Sequence, residues 1–427
     1  MDLEQRLDEL KGLGLYRRMR LVSGPQGPRV VLDGKPVLLL CSSNHLGLAD
    51  HPRVREAAAD AAMRWGVGAG GSRLVSGTMT IHRRLEERLA AFHGSGAALL
   101  YGSGYLASMG VVGALAEPGT VVLCDELSHA ALLDGCALAG ADTRVYGHGD
   151  MDHLAALLDE AAGRPTLVVT DAVFATEGDV APLEELVDLA QRHGARTVVD
   201  EAHAIGCLGP GGRGAVAEAG LEGEVDVVIG SLGKALGAYG AYAACDATTA
   251  RFLANRSRTL VASTAPPPPV VAGALAALDL LAEQPHRVDK LQANADVLRA
   301  ELAREGFETA GSTTQIVPLV VGDAGLALRI RDAALEGGVF AEALGPPTVV
   351  TGTARLRLSV MASHTKAELR DAAQVLGRAA LRAGFRPAAG VPVAATHGAD
   401  EPVPAPPPAS PARPFDGQAE IEIARAA

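Results

Sequence analysis

The sequence predicts an α/β protein in which a mostly parallel sheet carries helices, followed in the chain by a smaller α+β unit. Three observations predict it. Short apolar runs such as Val121–Asp125, Leu167–Val173 and Val227–Ile229 have the length and β-branched content of buried strands. Stretches with apolar residues at helical spacing, among them Ile81–Phe92 and Leu183–His193, alternate with them. Reactive polar residues cluster where an apolar run ends, and an open parallel sheet holds its ligand at the carboxyl ends of its strands.

The 427 residues suffice for one large and one smaller domain. Hydrophobic residues make up 48% and aromatics only 3%, so the core must be built from Ala, Val and Leu. A net charge of −12 argues against nucleic acid as a partner, since that needs a basic face. Anionic substrates would have to meet local arginines. The five cysteines are scattered without a C-x-x-C pair, which suits reduced thiols better than a disulfide framework or a zinc site. The opening MDLEQRLDELKGLG is amphipathic and mixed in charge, without a signal-peptide core. No apolar run reaches the length of a membrane span. A cytoplasmic protein, bound to neither membrane nor nucleic acid, is expected.

Residues 1–45 form an N-terminal segment. A helix pattern runs from about 2 to 20 and ends in Tyr16-Arg17-Arg18-Met19-Arg20. Val30–Lys35 predicts a hairpin turning at Asp33-Gly34, followed by LLLCSSNHLGL over Leu38–Leu48. A large domain is expected over 46–265. It begins with a helix over Val54–Trp65, soon after Pro52, and the Gly-rich loop Gly66–Thr78. That loop lacks the G-x-x-x-x-G-K-[S/T] order of a nucleotide phosphate cradle. The strand Ala97–Leu100 ends in Tyr101-Gly102-Ser103-Gly104-Tyr105 before another apolar helix. Strand, glycines and helix start make an anion site, because free backbone N–H groups and the helix dipole both favour negative charge. Leu167–Val173 contains Asp171, which is expected to orient the loop Phe174-Ala175-Thr176-Glu177-Gly178.

Two segments carry the chemistry. In TVVDEAHAIG, over Thr197–Gly206, a strand delivers Asp200 and, three residues on, His203. In VDVVIGSLGKALGAYGAY, over Val225–Tyr242, a strand stops at Ser231 and a Gly-flanked Lys234. Walled by small residues, that amine is partly desolvated, which lowers its pKa toward a nucleophilic free base. A carboxylate at a strand end can hold the protonated nitrogen of a pyridine ring, and an imidazole can reach its phenolic oxygen. Alone, D-x-x-H also suits a metal site or a core pair, and S-x-G-K suits a solvated turn. About thirty residues separate the two, and that combination is much rarer.

After Lys234 the pattern changes. Ala262-Ser263-Thr264-Ala265 precedes four prolines, and a long Ala/Leu helix, about Val270–Leu281, opens a smaller domain over 266–388. Its recognisable pieces are Pro346-Pro347-Thr348 and Arg355-Leu356-Arg357, whose arginines share one strand face. On an edge strand that pair is solvated surface. From 389 to 427 the Pro/Ala-rich chain, with EPVPAPPPASPARP, reads as a disordered tail.

Over roughly residues 10–385 the chain resembles the α-oxoamine synthases, pyridoxal-phosphate enzymes of fold type I (the aspartate-aminotransferase-like fold). The resemblance implies that Lys234 links pyridoxal 5'-phosphate as a Schiff-base lysine. Asp200 then pairs with the ring nitrogen, His203 reaches the phenolic oxygen, and His129, in D-E-L-S-H, stacks on the ring. Gly104 and Tyr105 hold the cofactor phosphate, and Ser231 is a further cofactor-binding residue. Thr264 reaches the phosphate held by the other subunit, which implies a homodimer with its active site at the interface. Arg17 and Thr348 fall on the acyl side, Ser43 and Arg357 on the amino-acid side. No metal is implied. Three positions depart from the family pattern: Ser43 stands where it has Asn, His45 where it has Tyr, and Ala175 where it has Ser.

The implied reaction is a decarboxylative Claisen condensation of an amino acid with an acyl thioester on CoA or a carrier protein. Gly-Gly-Ser-Arg-Leu-Val-Ser-Gly, Pro-Pro-Thr and Leu-Gly-Ala-Tyr-Gly look like the alanine-using branch. That branch joins L-alanine to a pimeloyl thioester, giving 8-amino-7-oxononanoate for biotin biosynthesis. A glycine-using member similar to 2-amino-3-ketobutyrate ligase, an aminotransferase on the same fold and a catalytically impaired subunit are the alternatives.

Overall fold

The computed structural model describes residues 2–12, 15–309 and 311–385. The tail expected from 389, and residues 386–388 of the expected small domain, lie outside the described residues.

A seven-stranded sheet organises the large part of the chain. In spatial order its strands are Ala97–Tyr101, Ala241–Cys245, Val227–Ser231, Arg196–Asp200, Thr166–Asp171, Val121–Asp125 and Asp142–Tyr146. Ala241–Cys245 runs antiparallel to both its neighbours, and the pairings from Val227–Ser231 outward are parallel. Val121–Asp125, Val227–Ser231 and Ala241–Cys245 are buried at every position. Strands covered on both faces read as continuous apolar runs, which is how Val121–Asp125 and Val227–Ile229 stand out in the sequence. Successive residues enter opposite cores: Val122, Val198, Val227 and Ala243 on one side, Val121, Val199, Val228 and Ala244 on the other. Gly230 has no room for a side chain, because the Tyr242 ring occupies the space where its Cβ would lie.

The expected helices and hairpin form with small shifts at their ends. Helices run over Pro52–Trp65, Thr80–His93, Gly104–Leu115, Leu183–Arg192 and Pro268–Glu283. The hairpin Arg29–Leu32 and Lys35–Leu39 turns at Asp33 (φ 48°) and Gly34 (φ 82°), both left-handed as a tight two-residue turn requires.

One expectation changes, and one alternative is excluded. The N-terminal helix covers only Leu3–Gly12, and 15–21 are not helical. None of its residues is buried, so packing adds nothing to the weak intrinsic stability of a short helix. The arginine pair is not on a solvated edge. Ala354–Ser359 is the middle strand of a three-stranded antiparallel sheet, between Ile316–Gly322 and Glu342–Leu344. Helices Ala324–Glu336 and Lys366–Ala383 pack together beside it. The N-terminal hairpin joins this region, since Lys35–Leu39 pairs in parallel with Val339–Phe340. Helix Pro268–Glu283 packs on Pro52–Trp65 and Thr80–His93. No helix among the described residues is long and apolar enough to cross a membrane.

Candidate active site

Parallel register brings the reactive residues to one end of the sheet. Asp171 pairs with Asp200, and Asp200 with Ile229, two residues before Ser231. Beyond Ser231 the chain folds into a compact turn. Gly233 N–H donates to Ser231 Oγ (3.2 Å), and Gly237 N–H to the Lys234 carbonyl (2.9 Å). Lys234 is half-buried, and its amine is pushed down to about 8, chiefly by desolvation, against the opposing pull of Asp200 and Asp171.

The Asp200 carboxylate is buried and held at both oxygens. Oδ2 accepts from Ser108 Oγ at 2.7 Å, and Oδ1 from the Ala202 N–H at 2.9 Å. His203 is buried; desolvation first, then the charges of Lys234 and Arg357, push its pKa well down, so the ring is neutral. Its Nδ1 has no partner among the described residues, and its carbonyl accepts from Gln315 Nε2 at 2.8 Å.

His129 caps the helix Ala130–Ala139. Its backbone N–H donates to Asp171 Oδ2 at 2.6 Å, and its Nδ1 accepts from the Ala131 N–H at 3.2 Å. Burial pushes its pKa down. A neutral ring accepting at Nδ1 carries its proton on Nε2, so His129 presents a donor. Burial and the Asp200 charge push the Asp171 carboxyl well up.

At the first sheet edge, Ser103 caps the helix Gly104–Leu115. Its Oγ and carbonyl take the N–H groups of Leu106 and Ala107. Those of Gly104 and Tyr105 remain unclaimed among the described residues, at the positive end of the dipole. The Tyr105 ring stands edge-on to His129 at 6.5 Å, and its hydroxyl donates to Asp134.

On the opposite side, Arg357 Nη1 lies 3.4 Å from Glu342 Oε2. Its Nε and Nη2 are buried without partners among the described residues, the edge that grips a carboxylate with two parallel bonds. Arg355, on the same face, ion-pairs with Glu177. His45 is fully buried, its Nδ1 3.2 Å from the Val360 carbonyl and its ring 5.9 Å from that of His203. Burial pushes it down to about 3, so a neutral imidazole occupies the tyrosine position. Ser43 and Ala175 are half-buried.

No described contact joins Arg17, Thr264 or Thr348 to this group. Arg17 is exposed in the irregular stretch, Thr348 is exposed in a turn, and Thr264 bridges to Ser72 of the Gly-rich loop. That loop is held by a buried Arg73–Glu86 pair at 2.7 Å. Neither this pair nor Ser108 stands out in the sequence. Their only sequence signals are a charge in a Gly-rich loop and a hydroxyl in an apolar helix.

The donor set fits pyridoxal phosphate. A fixed carboxylate suits a protonated ring nitrogen, the unpartnered His203 Nδ1 suits a phenolic oxygen, and the free amides of Gly104 and Tyr105 suit a phosphate. Lys234 supplies the amine for an aldehyde.

Comparison with known proteins agrees with that chemistry. A family model described as aminotransferase class I and II matches residues 35–376. The chain is 46% identical over 383 residues to 8-amino-7-oxononanoate synthase of Citrifermentans bemidjiense, covering 89% of this chain and 98% of the relative. It is 48% identical over 377 residues to the enzyme of that name from Geobacter metallireducens, covering 87% and 96%. Among solved structures, serine palmitoyltransferase of S. paucimobilis, with PLP–myriocin bound, superimposes with a TM-score of 0.85 at 31% identity, over 90% of this chain and 97% of that one. With the family match running from the N-terminal hairpin into the last helix, the chain belongs to the aminotransferase class I and II family.

Proposed function

We propose that this protein is a pyridoxal-phosphate-dependent acyltransferase that condenses L-alanine with a pimeloyl thioester, on CoA or a carrier protein, giving 8-amino-7-oxononanoate, CO2 and free thiol. The observation that carries it is the convergence of Lys234, Asp200, His203 and His129 at one sheet end, in a chain 46–48% identical to enzymes of that name. Those names favour this reading over the glycine-using, aminotransferase and impaired-subunit alternatives.

When bound, pyridoxal phosphate supplies an electron sink for the pair left as the amino acid loses its Cα proton. Lys234 would hold the cofactor through its amine, and the free amine would take the Cα proton; an amine near pKa 8 is suited to accept it near neutrality. Asp200, fixed by Ser108 and Ala202, keeps the ring nitrogen protonated. His203 holds the phenolic oxygen without help from a hydroxyl at Ala175; losing that one bond costs about 1 kcal/mol. His129 would lie beside the cofactor's ring, and its Nε2–H would donate to the thioester carbonyl. Ser231 and the amides of Gly104 and Tyr105 complete the cofactor's contacts, and Arg357 takes the amino acid's carboxylate with Ser43 nearby.

Arg17 and Thr348 are assigned to the acyl chain, and Thr264 to the phosphate bound by a second subunit of a cytoplasmic homodimer. Residues 46–265 are assigned to the cofactor domain and 266–388 to the small domain. The test is a screen of alanine, glycine and serine against acyl thioesters, following CO2 and product mass. Turnover with alanine and a pimeloyl thioester is expected; turnover confined to glycine would overturn the assignment.

A further inference from the structure

His148 lies outside the residues assigned above, between two carboxylates. Its Nδ1 is 3.1 Å from Asp125 Oδ1, and its Nε2 is 2.8 Å from Asp179 Oδ2. A neutral imidazole has one N–H, so one nitrogen would turn a lone pair toward a carboxylate oxygen. Only the imidazolium donates to both. The ring meets Phe174 edge-on, with centroids 4.3 Å apart. The hydrogen bond to Asp125 and then that to Asp179 push its pKa up to about 10.

The carboxylates tie His148 to two further loops at the active end of the sheet. Asp125 ends its strand and also accepts from the N–H groups of Leu127 (2.8 Å) and Gly149 (3.0 Å), fixing the path that leads to His129. Glu126 Oε1 accepts the N–H of His148 itself at 3.0 Å. Asp179 sits in the loop that follows Asp171, where Val173 bridges to Val180. The two residues before it face the C-terminal region. The Gly178 carbonyl accepts from Thr314 Oγ1 at 2.9 Å, and Glu177 pairs with Arg355. Arg355 shares a strand face with Arg357.

We propose that His148, as an imidazolium, is a positioning residue that joins the His129 loop to the loop gripping the Arg355–Arg357 strand, so that an amino acid seated on Arg357 sets the placement of His129. This rests on the roles proposed above for His129 and Arg357. The charged groups facing His148 are Asp125 and Asp179 through the ring and Glu126 through the backbone. Asp171, one strand over, faces His129 instead.

The test uses the holoenzyme with histidine labelled at the ring carbons. In the wild type, His148 is expected to give the NMR shift of an imidazolium at pH 8. Asp179→Asn keeps the side-chain shape but removes one anion, so the His148 titration and the alkaline loss of kcat should both move down by about one pH unit or more. His148→Asn should lower kcat about tenfold or more while KM for the amino acid changes less, with cofactor content retained. A neutral His148 at pH 8, or an Asp179→Asn pH profile superimposing on the wild type, would overturn the proposal, and the wild-type spectrum decides even if a variant misfolds. Failure of the proposed reaction would show separately, as no condensation by the wild type.

Discussion

Lys234 is where burial becomes reactivity. An amine attacks an aldehyde only as the free base, and desolvation brings Lys234 there at about pH 8 rather than the 10.5 of an exposed lysine. In cofactor-free protein, the rate of covalent capture of pyridoxal phosphate should climb with pH through about 8 and then level, as followed by absorbance. Lys234→Ala should leave no covalent adduct by mass spectrometry. Glu201, beside Asp200, makes a different prediction. It is fully buried, accepts from the Val216 N–H at 2.7 Å, and is pushed up to about 8 by burial. The folded state therefore binds a proton that the unfolded chain has released above 4.5, so this group's contribution is complete below pH 4.5 and lost as pH rises to about 8. Glu201→Gln should flatten that part of the decline in melting temperature between pH 5 and 8, read by thermal denaturation. At this scale the sequence was most legible where a polar residue ends an apolar run, as with Asp200 and Lys234. Partners such as Ser108 for Asp200 and Glu177 for Arg355 were hidden, because each lies 92 or 178 residues away and only the folded chain brings it near.

Elements were legible in proportion to their burial. The two-sided strands and the helices packed on them appear where the apolar pattern puts them, because that pattern is itself the record of what they bury. The N-terminal helix does not reach 15–21 because its periodicity meets no partner surface. The inner position of the arginine strand was hard to read because one of its flanking strands, Glu342–Leu344, is only three residues long and begins on a glutamate. Gly230 tests how tightly the strand before Lys234 is packed. Gly230→Ala would drive a methyl into the Tyr242 ring, whose hydroxyl is 2.8 Å from His93 Nε2, so the ring has little freedom to retreat. A loss of about 1–3 kcal/mol is expected from overpacking of this kind, read as a lower denaturant midpoint with an unchanged slope.

For the whole molecule, the dimer assigned through Thr264 predicts a sedimenting species of twice the chain mass, and a Thr264→Ala protein with weaker cofactor retention on dialysis. A last consequence comes from the order of the central sheet. Ala97–Tyr101 finds its neighbour only in Ala241–Cys245, with Tyr101 opposite Ala241 about 140 residues later, and Leu38 waits for Val339, about 300 residues on. A nascent chain must therefore hold the first strand of its central sheet unpaired until more than half of the polypeptide has been made, a topology that folds slowly and leaves sticky edges open meanwhile. Refolding from denaturant should accordingly be slow, with yield falling as protein concentration rises, and chaperones should matter more to this enzyme's production than to its finished stability.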